Sequence, residues 1–171
     1  MAAGATYEPI ATTTLGSNQN DIIFSSIPST YTDLVIVFTG KSTNAGTTSN
    51  GMRCRVNSDT GSNYSTTYLN GDGSSASSSR ATSTAYFEVG EIAQTDNTSP
   101  TVAIIQVMNY ANTSTYKTIL ARINTASVIT QASVSLWRST SAINSVTISR
   151  DFGTNQIKAG STATLYGIAA A

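Results

Sequence analysis

Short apolar segments recur along this chain at steps of roughly 8–14 residues, each closed by Gly, Pro, Asn, Asp or Ser. No window carries an i, i+3, i+4, i+7 apolar stripe flanked by helix formers. A chain of this kind has to bury its apolar side chains from strands. Period-two alternation then puts one face of each strand inside and leaves the hydroxyl-rich face to water. The closing stretch Ile157–Ile168 shows the pattern well. Gly160-Ser161 signals a turn, and Thr164, Leu165, Tyr166 and Ile168 supply β-branched, apolar and aromatic side chains. A segment this apolar frays unless a sheet holds it. It is therefore expected to pair inside a sheet, beside strands from much earlier in the chain.

Strands are predicted over Tyr7–Leu15, Asp21–Ile27, Asp33–Lys41, Gly51–Asn57, Tyr64–Leu69, Ala85–Ile92, Thr101–Tyr110, Tyr116–Ile123, Val128–Trp137, Ile143–Ser149 and Thr162–Ile168. Leu34-Val35-Ile36-Val37-Phe38 is apolar on both faces, which fits a covered central strand or one turned toward a partner subunit. In Gly51–Asn57, Met52, Cys54 and Val56 alternate with Arg53, Arg55 and Asn57, the mark of a half-buried antiparallel strand. Ser74–Ser79 reads as an exposed, mobile serine loop, and Asp151–Lys158 as a connection. So many strands in 171 residues, with a closing strand inside a sheet, predict one all-β domain over residues 1–171. The expected form is an antiparallel two-sheet β-sandwich of jelly-roll type. An immunoglobulin-like sandwich ranks second, because the Cys–Trp–Cys framework is missing.

Composition narrows the chemistry. Charged residues are 11% of the chain, against a usual ~25%, and nine Lys and Arg balance nine Asp and Glu. No basic stripe is available to track phosphates, so nucleic acid is not an expected partner. No apolar run reaches the ~18 residues of a membrane span, and the N-terminus lacks the basic and apolar regions of a secretory signal. The chain has no histidine, which removes the commonest general base and every Ser-His-Asp or Cys-His arrangement. Cys54, the only cysteine, alternates with Met52 and Val56 and reads as a small core residue. Asn57–Asn63 and Asn70–Gly73 carry oxygen ligands at short spacing, but without a bidentate acid they read as Asx-type turns rather than cation sites. Glu88 and Glu91 stand at odd spacing, so they are expected on opposite faces of a strand, apart from one another. No catalytic residue, cofactor site or metal site is predicted. Trp137, opposite Leu136 and beside Arg138, reads as a core or interface anchor, with a sugar-stacking platform as the alternative.

Several stretches resemble a family of small virion structural proteins of tailed bacteriophages, especially phages of cyanobacteria and other aquatic bacteria. They are Tyr7–Leu15, Ser25–Val35, Asp59–Ser65, Leu136–Ile143 and the closing Ala159-Gly160-Ser161 with Leu165–Ile168. The similarity spans nearly the whole chain, and its motifs are turns and strand starts, none of them catalytic. The resemblance implies a non-enzymatic protein of the particle surface, made in the host cytoplasm. Its leading form is a capsid decoration or cement protein, seated on the major capsid protein or other virion proteins as a homo-oligomer, with a trimer expected. A tail, fibre or receptor-contacting component is the alternative, and a carbohydrate-binding module is a third reading. Candidate interface residues are Leu34, Ile36, Phe38, Trp137 and Tyr166, and residues 1–6 are a candidate flexible arm.

Overall fold

A computed structural model describes residues 6–151 and 155–169. Among these residues there is no helix, and twelve strands form two antiparallel sheets packed as a β-sandwich. The large sheet has eight strands in the order β1 (Tyr7–Thr14), β12 (Thr162–Ile168), β3 (Asp33–Gly40), β8 (Thr101–Val107), β9 (Lys117–Thr125), β10 (Ile129–Trp137), β5 (Tyr64–Gly71) and β6 (Ala76–Thr84). The small sheet has four, in the order β2 (Asp21–Phe24), β11 (Val146–Ser149), β4 (Ser49–Val56) and β7 (Phe87–Ala93).

One core fills the space between the sheets. Leu34, Ile36, Phe38, Ile105, Val107, Ile119, Ile123 and Leu165 come from the large sheet, and Ile22, Phe24, Met52, Cys54, Val56, Phe87 and Ile148 from the small one. The alternation of β4 is realised as expected, with Met52, Cys54 and Val56 buried and the two arginines between them half-buried. The closing strand β12 lies between β1 and β3, so each of its backbone edges is paired. The register brings Tyr166 opposite Pro9 on one side and Val35 on the other. Further along, the hydroxyls of Thr12 and Thr164, 152 residues apart in sequence, bond at 3.1 Å.

The structure corrects one segment outright. Ser74–Ser79 is not a loop: a turn closed by Asp72 leads into β6, which starts at Ala76 and pairs with β5 over its length. Asp72 accepts the backbone N–H groups of Ser74 at 2.9 Å and Ser75 at 2.7 Å, together with both serine hydroxyls. These bonds hold its carboxyl well below the usual carboxylate range. The strand escaped the sequence reading because both its faces meet solvent. It lies at the end of the large sheet, where no apolar alternation is needed. The stretch read as a flexible arm, residues 1–6, falls outside the described residues except for Thr6.

Candidate functional site

Four of the five residues singled out as interface candidates are core residues. Leu34, Ile36 and Phe38 are 0% exposed and Trp137 is 2% exposed, all pointing into the space between the sheets. A side chain enclosed by its own fold offers no surface to a partner, so these four are corrected to core positions. Trp137 stacks on Tyr64 with ring centroids 6.5 Å apart, and its Nε1 donates to Asp59 Oδ2 at 2.7 Å. That contact also removes Trp137 as a sugar platform. Asp59 accepts further bonds from the Gly61 N–H at 2.8 Å and from Asn63 Nδ2 at 2.9 Å, which makes Asn57–Asn63 an Asx-type turn anchored to the core. Burial pushes the Asp59 carboxyl up, but the bonds from Trp137, Asn63 and Gly61, with Arg55 nearby, outweigh it and leave it below the ordinary value. Tyr166 does lie on the outer face, half-buried, with its ring edge-on to Tyr7 at 6.2 Å.

What lies on the surface instead is the other side of the same strands. Register and alternation place Val102 and Ile104 of β8, Leu120 and Arg122 of β9, Ala132, Val134 and Leu136 of β10, and Leu69 of β5 on the outer face of the large sheet. Leu69, Val102, Leu120 and Val134 are 62%, 38%, 40% and 45% exposed. From β8 across to β5 the only charged side chain on this face is Arg122. These side chains form an exposed aliphatic strip around Arg122, with the polar Gln106, Asn124 and Thr67 beside it.

The inward face of β10 is polar: Gln131, Ser133 and Ser135 are buried. Their partners explain why. β7 is an edge strand of the small sheet, and opposite Met52 and Arg53 it carries a bulge in which Val89 is the extra residue. The bulge leaves backbone groups out of the ladder, and side chains of the large sheet satisfy them. Gln131 Oε1 accepts the Glu91 N–H at 2.6 Å, Thr66 Oγ1 accepts the Glu88 N–H at 3.2 Å, and the Ser133 hydroxyl reaches the Val89 carbonyl at 3.3 Å. Gly90 makes the bulge possible: its φ is +143°, and a Cβ there would lie 2.1 Å from Ile123 Cγ2.

The same bulge overturns the expectation for Glu88 and Glu91. One extra residue resets the alternation, so Glu88 pairs opposite Arg53 and Glu91 opposite Gly51, and both side chains fall on one side of the strand. Glu88 Oε1 accepts Arg53 Nε at 3.2 Å, Arg53 Nη1 donates to the Asp151 carbonyl at 3.3 Å, and Arg150 meets Asp151 Oδ2 at 3.4 Å. The Arg53 guanidinium also lies 4.3 Å from the Tyr86 ring centroid. Burial pushes the Glu88 carboxyl up despite the opposing pull of Arg53 and Arg150. Among the described residues no group of three or more His, Cys, Asp and Glu is arranged to hold a metal ion. No protein-family model matches the chain, and comparison with curated proteins finds no match either.

Proposed function

We propose that this chain is a non-enzymatic assembly module of a bacteriophage particle, a decoration or cement protein that binds the outer capsid as a homo-oligomer, with a trimer as the expected form. The observation that carries the reading is the aliphatic strip on the outer face of the large sheet. It offers contact area with few charges to desolvate, on a rigid sheet that needs no rearrangement to dock. The resemblance of the turns and strand starts to small virion proteins supports the same reading.

Strand order also supports the jelly-roll form of the fold. With β1 and β12 set aside and the β8–β9–β10 meander counted as one unit, the sheets read β2-β11-β4-β7 and β3-meander-β5-β6. Apart from the β5–β6 hairpin, successive pieces of the chain cross from one layer of four to the other, which is consistent with a roll. A lattice-bound protein stabilises a shell by mass action, because it binds only the assembled state, and several weak contacts per oligomer multiply through avidity.

The test has two parts. Light scattering of the purified protein should give an oligomer, and Leu120→Lys with Val134→Lys should give a folded monomer. A wild-type chain that stays monomeric at high concentration removes the oligomer. Quantitative mass spectrometry of purified particles should find copies in multiples of the capsid site number. A few copies per particle would move the protein to the tail.

A further inference from the structure

The large sheet extends past the small one on the β5–β6 side, and the step between them opens into a cleft of about 160 Å³. Gly51, Tyr68, Glu88, Gly90, Glu91 and Gln131 line it. Each carboxylate is fixed by one oxygen and presents the other. Glu88 uses Oε1 for Arg53, and Glu91 uses Oε2 for the Ser49 hydroxyl. Among the described residues Glu88 Oε2, Glu91 Oε1 and the Tyr68 hydroxyl make no hydrogen bond. Glu88 Oε2 lies beside Gly51, where even an added methyl would come within 3.6 Å of it, so the missing side chain keeps this part of the cleft open. Gln131 cannot turn to fill the space: its amide is held at both ends, by the Glu91 N–H and by Asn70 Oδ1 at 2.6 Å.

We propose that this cleft binds a single neutral sugar residue, with the Glu88 and Glu91 carboxylates accepting from adjacent hydroxyls and the Tyr68 ring against the apolar face of the pyranose. The chemistry of the lining selects this class. An apolar ligand would strand two carboxylate oxygens without partners. An anion would meet those carboxylates directly. A metal ion lacks a third acid ligand among the described residues, and Arg53 and Arg150 compensate much of the local negative charge. A ligand with vicinal O–H donors on one side and C–H groups on the other uses every open group, and the cleft has room for about one ring. The bulge is what builds the site, since without it one of the two carboxylates would point into the core. The inference stands whether or not the outer face of the large sheet assembles.

Saturation-transfer NMR on the full chain tests it, using the methyl glycosides of glucose, galactose, mannose, N-acetylglucosamine and rhamnose at millimolar concentration. Transfer to the ring protons of at least one glycoside is expected, with Kd at least tenfold weaker in Tyr68→Ala and in Glu91→Gln at an unchanged melting temperature. If Tyr68→Ala fails to fold, Glu91→Gln alone decides, because its amide oxygen still accepts from Ser49. No transfer to any glycoside overturns the proposal, as does transfer that survives the folded variants. Binding of N-acetyl-arginine methylamide in place of the glycosides also overturns it, and would make the cleft a socket for a partner protein's guanidinium.

Discussion

At the scale of single residues, most of the informative positions are those where polarity and burial disagree. Asp59 and Trp137 form one such pair. Replacing Trp137 by Phe keeps most of the apolar contact with Tyr64 but removes the indole N–H from a carboxylate held in the Asx turn. The expected loss is about 1–3 kcal/mol at neutral pH by urea denaturation. Because the folded carboxyl titrates below its unfolded value of 3.8, its stabilisation is fully present above that pH and disappears as pH falls through the folded value. The gap between wild type and variant should therefore shrink in acid, and a gap independent of pH would mean that packing alone had been lost. Gly90→Ala should cost roughly 2–4 kcal/mol, from a strained backbone and a methyl driven into Ile123. Cys54 is enclosed by the core, and burial pushes its thiol far up. A thiol-reactive disulfide reagent at pH 8 should leave the folded protein unmodified and react only after denaturant is added; fast labelling of the native chain would contradict the core placement.

At the scale of strands, legibility followed burial. β3, β4 and β12 were readable because each has one apolar set facing the core, and a turn signal or charged alternate residues to frame it. β6 was not, because a nine-residue strand exposed on both faces has no burial to write into its sequence. In β10 the alternation was legible but its direction was not. Val134 and Leu136 are the apolar set, yet the hydroxyls of Ser133 and Ser135 point inward, Ser133 to the backbone of the bulged β7 and Ser135 to Thr66, which itself takes the Glu88 N–H. Only the structure of a different strand decides that, so no local reading of β10 finds it. The convergence of Glu88 and Glu91 was hidden for the same reason, and Gly90 was its sole trace. Replacing the inward Ser133 by Val, a change that simple alternation would favour, should destabilise the fold by about 1–3 kcal/mol, because the bulge carbonyls lose a donor. A neutral or stabilising result would show that solvent reaches those carbonyls.

For the molecule as a whole, the two broad faces divide the work. The inner face of the large sheet holds the fold together and its outer face is the proposed assembly surface, while the step beyond β7 forms the cleft. Loss of the oligomer through Leu120→Lys with Val134→Lys should leave glycoside binding intact, since these residues lie on the face opposite Tyr68 and Gln131. The position of β12 carries a last consequence. The large sheet seats β12, far from both neighbours in sequence, between β1 and β3. Until β12 is in place, β3 has an open edge there and β1 has no partner in the sheet. A chain lacking the β12 segment thus cannot close its large sheet, and the unpaired ribbon it leaves is a site for edge-to-edge association.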